Sequence, residues 1–541
     1  MSDTAQITVF SKPNCSYCDS VKNVLRAENL AFDEFDITDS SRAANASIYL
    51  SGTGTVPQIF IGRTHVNGAA DFLPLANSGR LKDLLKAHAS EQFSFDGLSD
   101  ATLEKGAHDT KLKDYIPASI GTHSDTPDEW PLLRFYSIFF GFWPDCFKYM
   151  RHWQEIYKLF IYCHNMSAVR MSREIIGEGM LYVAAFSTSN AHGCDYCQVH
   201  AASTGKDYSV NIIKDYKAAR EGYFKDDTEI GPFEVALADV AAACTTNTVT
   251  DELLDRVRSL EHLSRASIKS PVEQCITSMA MVAGSFGYLN PFNDLTGLEV
   301  EGGWMKMGEE VGLGSGRHGA TEGNPDNLSH DIPDGGPSIE ELFAKFDAEV
   351  GDVEAFAMEN FGHVPEWFHV FPEQIRRRHA YLYAETFSPR DHALLPSELR
   401  HLMARVAATE RNHDYIALSE ACSAMHVTDD PSRTMQRIKA CYAAASGELE
   451  DDALFDGAEI AALKLAWLSA QMPLMVPYNM VEGALEHYNH TELVHLITTA
   501  GIAGVTQRVA SLSRPKIEGD LAKFAKEHDL ETDTLKIRYP V

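Results

Sequence analysis

Four of the ten cysteines in this 541-residue chain stand in two Cys-x-x-Cys pairs, Cys15/Cys18 and Cys194/Cys197. Two thiols one helical turn apart can share redox work: one attacks, and the other resolves the mixed disulfide that results. A helix N-terminus helps, because its unpaired N–H groups and positive dipole end favour thiolate over thiol. The first pair lies in Lys12-Pro13-Asn14-Cys15-Ser16-Tyr17-Cys18, after an apolar strand pattern and at the start of a helical one, with Lys12 as a nearby cation. The second lies in His192-Gly193-Cys194-Asp195-Tyr196-Cys197-Gln198-Val199-His200, between two helical patterns that Gly193 separates. His200 follows Cys197 by three residues, so its imidazole can reach that sulfur or a substrate oxygen and deliver a proton.

A metal reading competes at both places. Zinc at the first pair would have to recruit His65 and His88, and at the second His192, Cys194, Cys197 and His200 nominally supply four ligands. Ligands crowded onto one helix end rarely surround an ion tetrahedrally. Redox chemistry is the preferred reading at both pairs, and no metal is expected.

The elements that must position these residues follow from hydrophobic pattern. Residues 1–88 read β-α-β-α-β-β-α: strands at Ile7–Phe10, Phe32–Ile37, Gln58–Gly62 and Thr64–Val66, and helices at Tyr17–Glu28 and Leu81–Ala87. Such alternation implies an α/β sheet. Residues 89–129 read as a polar linker, 130–300 as helical, 301–338 as a Gly/Asp-rich linker, 339–513 as helical again, and 514–541 as a charged tail. The two helical stretches look like copies. Cys194-Asp195-Tyr196-Cys197 matches His413-Asp414-Tyr415-Ile416, the run from Glu234 matches that from Glu459, and the run from Ile276 matches that from Ile497. Three matches in the same order at nearly constant offset point to an internal duplication.

The first stretch resembles the glutaredoxin family over nearly all of residues 5–88. The K-P-x-C-x-Y-C motif is joined by Thr55-Val56-Pro57, which matches the family's cis-proline loop, and by His65-Val66-Asn67-Gly68-Ala69-Ala70-Asp71-Phe72, which resembles its G-G-x-D-D-L turn. The resemblance implies a thioredoxin-like fold with glutathione as reductant. Main-chain groups of Val56 would then pair with the cysteine of glutathione, and Gly68 and Asp71 would hold its γ-glutamyl end. Asn67 and Ala70 depart from the pattern. Two cysteines favour dithiol exchange, with a bridging iron–sulfur cluster as the alternative.

The second stretch resembles the alkylhydroperoxidase D-like (carboxymuconolactone decarboxylase-like) superfamily. Besides the second cysteine pair, Asn290-Pro291-Phe292-Asn293-Asp294 resembles that family's N-R-F-N-D element. The resemblance implies Cys197 as attacking thiolate, Cys194 as resolving partner and His200 in a proton relay. The family's relay glutamate, about twelve residues before the first cysteine, is replaced by Tyr182, and Glu178 is the nearest upstream acid. In the third stretch His413, Ile416 and Ser419 align with Cys194, Cys197 and His200, so that copy reads as a packing partner without the chemistry. A lyase in which His413 serves as a base is the alternative. The fold class is therefore multidomain: a thioredoxin-like α/β domain followed by two all-α domains, the second degenerate.

Composition narrows the function. With 47 basic and 77 acidic residues the net charge is −30, which disfavours phosphate backbones and anionic lipid. No apolar run approaches the roughly 20 residues of a membrane span, and Met1–Gln6 has no signal-peptide pattern. A cytoplasmic location with reduced thiols is expected. Six cysteines (Cys146, Cys163, Cys244, Cys275, Cys422 and Cys441) stand singly among apolar neighbours and read as core filler. Three weaker signals also read as structure: the aromatic run Phe135–Trp143 as a packing helix, with the lining of an apolar pocket for an organic hydroperoxide as the alternative, Gly312–Gly319 as a flexible linker, and Arg376–Arg378 as a solvated face.

The expected activity is reduction of a hydroperoxide at Cys197, recycled through Cys194, Cys15 and Cys18 with glutathione. The expected partners are that substrate, glutathione and possible further copies of the chain, with no nucleic acid or membrane. A disulfide reductase serving a separate peroxidase, or a small-molecule-binding helical scaffold tuned by the first domain, are the alternatives.

Overall fold

The computed structural model describes residues 6–118, 126–266, 268, 270–325, 332–447 and 453–530. Parts of the three connecting or terminal segments (residues 119–125, 326–331 and 531–541) thus lie outside the described residues.

The N-terminal region is a four-stranded sheet in the order β2-β1-β3-β4, with β1 Ile7–Ser11, β2 Asp33–Asp36, β3 Gln58–Ile61 and β4 Thr64–His65. Strand β1 runs parallel to β2 (Val9 opposite Glu34) and antiparallel to β3 (Val9 opposite Ile59). All five β1 residues are buried, as a central strand covered on both faces requires. Ile7 and Val9 point to one face, where Val21 and Leu25 of α1 (Ser16–Ala27), Phe72 of α3 (Ala69–Asn77) and Leu84 of α4 (Arg80–Ala87) close the core. Phe10 points to the other, against Leu50 of α2 (Ser41–Ser51), Phe60, Phe95 and Leu103. That second face moves the boundary expected at residue 88. Phe93 and Phe95 pack on Phe10 at 6.0 and 5.9 Å between ring centroids, and Leu103 lies in α5 (Asp100–Ala107), so the first domain needs part of the expected linker to cover its sheet.

The remainder is helical. Helices α6 (Trp130–Phe140), α7 (Asp145–Met150) and α8 (Gln154–Leu159) lead through a π-helical stretch, Phe160–Val169, into α9 (Arg170–His192), which breaks its helical path at Gly177. Then follow α10 (Asp195–Ser203), α11 (Asp207–Arg220), α12 (Pro232–Thr246), α13 (Asp251–Leu260), α14 (Val272–Thr296) and α15 (Gly302–Glu309). The second half carries α16 (Ile339–Val350), α17 (Val353–Phe361), α18 (Glu373–Phe387), α19 (Ser397–Glu410), α20 (Asp414–His426), α21 (Pro431–Ser446), α22 (Gly457–Ser469), α23 (Tyr478–His487), α24 (His490–Ser513) and α25 (Gly519–Glu527). No helix among the described residues is long and apolar enough to cross a membrane.

Helices α14 and α24 pack against each other at the centre of one continuous apolar core. Their backbones meet at Gly287 and Gly504. A Cβ on either glycine would lie 2.4 Å from the other's carbonyl oxygen, so only glycine permits this approach. The contact is reciprocal and pairs residues 504 − 287 = 217 apart. The match of Ile276 with Ile497 has an offset of 221, about one helical turn more.

The first domain rests on the second helical half. Asn479 Nδ2 donates to Tyr49 O at 2.8 Å, and Thr110 N donates to Val476 O at 2.7 Å. Segment 301–338 is not a flexible spacer in its described part. Glu301 and His318 are fully buried, and Arg317 binds both carboxylate oxygens of Asp109. The run Arg376–Arg378 is likewise only partly solvated: Arg378 forks onto Asp347 at 3.0 and 2.9 Å, and Arg376 donates to Phe368 O.

Candidate redox centres

Cys15 caps the N-terminus of α1 and its Sγ accepts from Cys18 N at 3.2 Å; the two cysteines are disulfide-bonded. The sulfur of Cys15 lies 3.8 Å from Val56 O, where the Val56–Pro57 peptide is cis. Gly68 presses on the same loop, since a Cβ there would stand 3.3 Å from Pro57 O. Thr55 is held by Gln58 Nε2, which donates to both its carbonyl and hydroxyl oxygens. Asp71 lies in the first turn of α3, where a carboxylate suits the helix end. Val56 of the cis-proline loop thus adjoins a disulfide whose two cysteines are buried, with Lys12 and Tyr17 exposed next to them in the chain.

The second pair repeats the helix-capping plan but opens onto a cavity through its second cysteine. Gly193 ends α9 in the left-handed region (φ 91°), which turns the chain so that Cys194 caps α10. Cys194 Sγ accepts from Cys197 N at 3.4 Å and is fully buried, and burial pushes its thiol well up from the ordinary range. Cys197, one turn on, forms part of the wall of a cavity of about 290 Å³ together with His200. Asn293 Nδ2 donates to its sulfur at 3.3 Å. Phe135, Phe139 and Phe140 line the same cavity, so the aromatic run expected to be a packing helix instead forms the apolar approach to Cys197. Cys146 also lines it, which removes one cysteine from the set expected only to fill core.

His200 Nε2 meets Glu301 Oε2 at 2.6 Å. Burial of Glu301 works against its charge, but the charge and hydrogen bond of His200 outweigh it and hold the carboxyl below its ordinary range. Tyr196 Oη and Asp145 N both donate to Glu301 Oε1 at 3.2 Å, fixing the carboxylate. An imidazole that donates from Nε2 keeps Nδ1 as its basic nitrogen. Tyr182 and Glu178, the upstream positions, bond each other at 2.7 Å, with Glu178 also on Arg173. The acid facing His200 thus comes from residue 301, at the start of the segment expected to be a linker. A Glu capping the helix after the N-P-F-N-D element was the available signal.

Behind Cys194 lies a polar core. Asp294 accepts from His318 Nε2 at 2.9 Å and lies 3.2 Å from His192 Nε2; these two histidines hold it below the ordinary carboxylate range although burial opposes this. Cys194, Asp294 and His318 place ligand atoms within 4.8 Å of one another, a donor set that suits zinc in type. It is three ligands rather than four, however, and the Arg508 guanidinium joins the same network through His192 Nδ1 at 3.0 Å. The four ligands considered from sequence do not converge, because His192 faces Asp294 and Arg508 while His200 faces Glu301.

In the second half, the aligned positions are filled. Ile416 is buried, Ser419 bonds His363 Nε2 at 2.7 Å, and Glu420 is satisfied by His401 at 2.7 Å and by Tyr383. His413 is buried, and burial pushes its pKa down to about 4.

Comparison with known proteins places the first of these sites. The glutaredoxin family description matches residues 7–66. Glutaredoxin 3 of Escherichia coli (strain K12) is 35% identical over 82 residues, covering 15% of this chain and 99% of that protein. A hybrid peroxiredoxin, hyPrx5, of Haemophilus influenzae is 35% identical over 65 residues, 12% of this chain and 27% of that one. The crystal structure of the holo form of glutaredoxin C1 from Populus tremula x tremuloides is 28% identical, covering 17% of this chain and 86% of that chain, with a TM-score of 0.16. Through its N-terminal thiol–disulfide domain, this chain belongs to the glutaredoxin family.

Proposed function

We propose that the protein is a glutathione-driven thiol peroxidase in which the glutaredoxin domain recycles an alkylhydroperoxidase D-like helical domain. The observation that carries this is the asymmetry of the second pair: Cys197 stands in the wall of an aromatic cavity beside the His200–Glu301 pair, while Cys194 is buried behind it. The Cys197 thiolate attacks the distal oxygen of an organic hydroperoxide, becomes a sulfenic acid, and the O–O bond breaks. The leaving alkoxide takes a proton delivered through His200, giving an alcohol. Cys194 then condenses with the sulfenic acid, releasing water and forming the disulfide. Two electrons from glutathione, passed through Cys15 and Cys18, return both sulfurs to thiols.

A loop that both sites touch supports the relay. A Cβ at Gly193 would lie 2.6 Å from Pro473 Cβ, and one at Gly54 would lie 3.0 Å from Met475 Sδ. One short loop of the second helical half therefore touches the turn before Cys194 and the loop before Thr55, and two residues of chain span only about 7 Å. The partial match to a hybrid peroxiredoxin favours the same reading.

The test is turnover of cumene hydroperoxide by the full chain with glutathione, glutathione reductase and NADPH. Both Cys197→Ser and Cys15→Ser are expected to abolish sustained NADPH consumption, while Cys15→Ser, starting reduced, still removes one equivalent of peroxide per site. Turnover indifferent to Cys197→Ser rejects the peroxidase. Turnover that needs Cys197 but not Cys15 rejects the relay.

A further inference from the structure

The second helical half lacks the cysteines, yet it reaches into the site of the first. Arg508 of α24 is 1% exposed. Its Nη1 donates to Asn290 Oδ1 at 2.9 Å and its Nη2 to His192 Nδ1 at 3.0 Å. Both acceptors belong to the architecture of the cysteine pair. His192 lies two residues before Cys194, and Asn290 Nδ2 donates at 3.2 Å to Ser189 Oγ, whose main-chain carbonyl accepts Cys194 N at 3.0 Å. Asn290 also lies one helical turn before Asn293, the donor to Cys197 Sγ.

The spacing set by Gly287 and Gly504 explains where this arginine comes from. Counting 217 residues back from Arg508 reaches Pro291, the place of arginine in the N-R-F-N-D element. The first copy has lost that arginine and the second presents one to it across the α14–α24 contact. The second copy's own site is served differently: Arg411, within its own half, donates to Gln507 and to Ser469 O.

We propose that Arg508 is a positioning residue of the Cys194–Cys197 pair, fixing the turn that carries it and supplying the permanent positive charge that a thiolate needs in a buried site. This rests on the redox reading of that pair. A buried thiolate pays a large desolvation cost unless a cation offsets it, and a guanidinium keeps its proton throughout the range in which proteins fold. The other titratable groups around Cys197 do not supply such a charge. Asp294 and Glu301 are acids, Cys194, Cys146 and Tyr196 are neutral or anionic, and His192 accepts from Arg508 as a neutral ring. His200 and His318 are each committed to a carboxylate. Burial, and after it the like charge of Arg411, hold the Arg508 guanidinium well below its ordinary range, while both thiols and Asp294 oppose that shift.

The test is the pH profile of iodoacetamide alkylation at Cys197 in the full-length reduced chain, read by mass spectrometry so that no turnover is required. Arg508→Met removes the charge and keeps bulk in the buried position. The midpoint for Cys197 is expected to rise by about one pH unit or more, a roughly tenfold slower reaction at neutral pH. Arg508→Lys should restore most of the shift, and Arg400→Met, which removes a buried arginine elsewhere in the second half, should leave the midpoint within about 0.3 unit. If Arg508→Met does not fold, Asn290→Asp neutralises the guanidinium in place with an isosteric side chain and should raise the midpoint likewise. An unshifted midpoint in folded Arg508→Met, or in Asn290→Asp, overturns the proposal. So does an equal shift in Arg400→Met. Failure of the peroxidase assay with these alkylation shifts intact would instead reject the peroxidase activity and leave the positioning role at the thiol pair standing.

Discussion

His200 and Glu301, 101 residues apart in the chain, meet Nε2 to Oε2 at 2.6 Å at the wall of the cavity that holds Cys197. The carboxylate is fully buried and receives two further donors, so it can hold the imidazole in one orientation and one tautomer.

Glu301→Gln keeps the shape and removes the charge. With cumene hydroperoxide it is expected to lower kcat/KM roughly 10- to 100-fold, the range for losing a partner that orients a proton-transfer group. Glu178→Gln, at the upstream position, is expected to change it less than twofold. Steady-state kinetics of the two variants side by side checks the assignment.

Cys194→Ser blocks condensation but leaves the cavity thiol in place. After one equivalent of peroxide, dimedone is expected to label Cys197 as a sulfenic acid in this variant and not in the wild type, where a Cys194–Cys197 disulfide forms. Peptide mapping by mass spectrometry distinguishes the two products. Labelling at Cys194 in Cys197→Ser would reverse the roles.

Three buried histidines set an acid limit on stability. Burial is the leading cause that pushes His164, His192 and His413 down to about 4. Between that value and the ordinary 6.5, the unfolded chain binds protons that the native state refuses. Stability is therefore fully present above about pH 6.5 and falls as the pH drops below it, by about 1.4 kcal/mol per pH unit for each such histidine. Urea midpoints at pH 7.5 and 5.5 measure this. A midpoint that rises on acidification would contradict it.

Gly287→Ala places a Cβ 2.4 Å from the Gly504 carbonyl oxygen. The backbones of α14 and α24 must separate to admit it, at a cost of about 1–3 kcal/mol. Gly97→Ala, where a Cβ would meet nothing within 4 Å, is expected to be neutral. Because one core joins the two halves, unfolding of Gly287→Ala should remain a single transition for both; two separated transitions would show that they fold independently.

Local signals made much of this protein legible before folding. Alternating apolar residues around Val9 give a sheet strand, the run around Cys18 gives a helix, and Gly193 before Cys194 gives a helix end followed by a helix start. Each depends on residues only a few positions apart, which is why Cys15, Cys18, Cys194, Cys197 and His200 stand out as candidates by type and spacing. What could not be read were partners whose proximity depends on packing. Glu301 and His318 sit in a Gly-rich segment whose composition reads as a spacer, and only the burial of α15 and the Asp109–Arg317 contact turn it inward. Phe135, Phe139 and Phe140 carry the same apolar pattern whether they fill a core or line a cavity. Arg508 reaches its partners from the second helical half, 316 residues beyond His192, because two glycines let α14 and α24 touch. Spacing along one helix is set by covalent geometry and survives in the sequence. A hydrogen bond between distant elements is set by the crossing of their backbones, and that is decided only when the core closes.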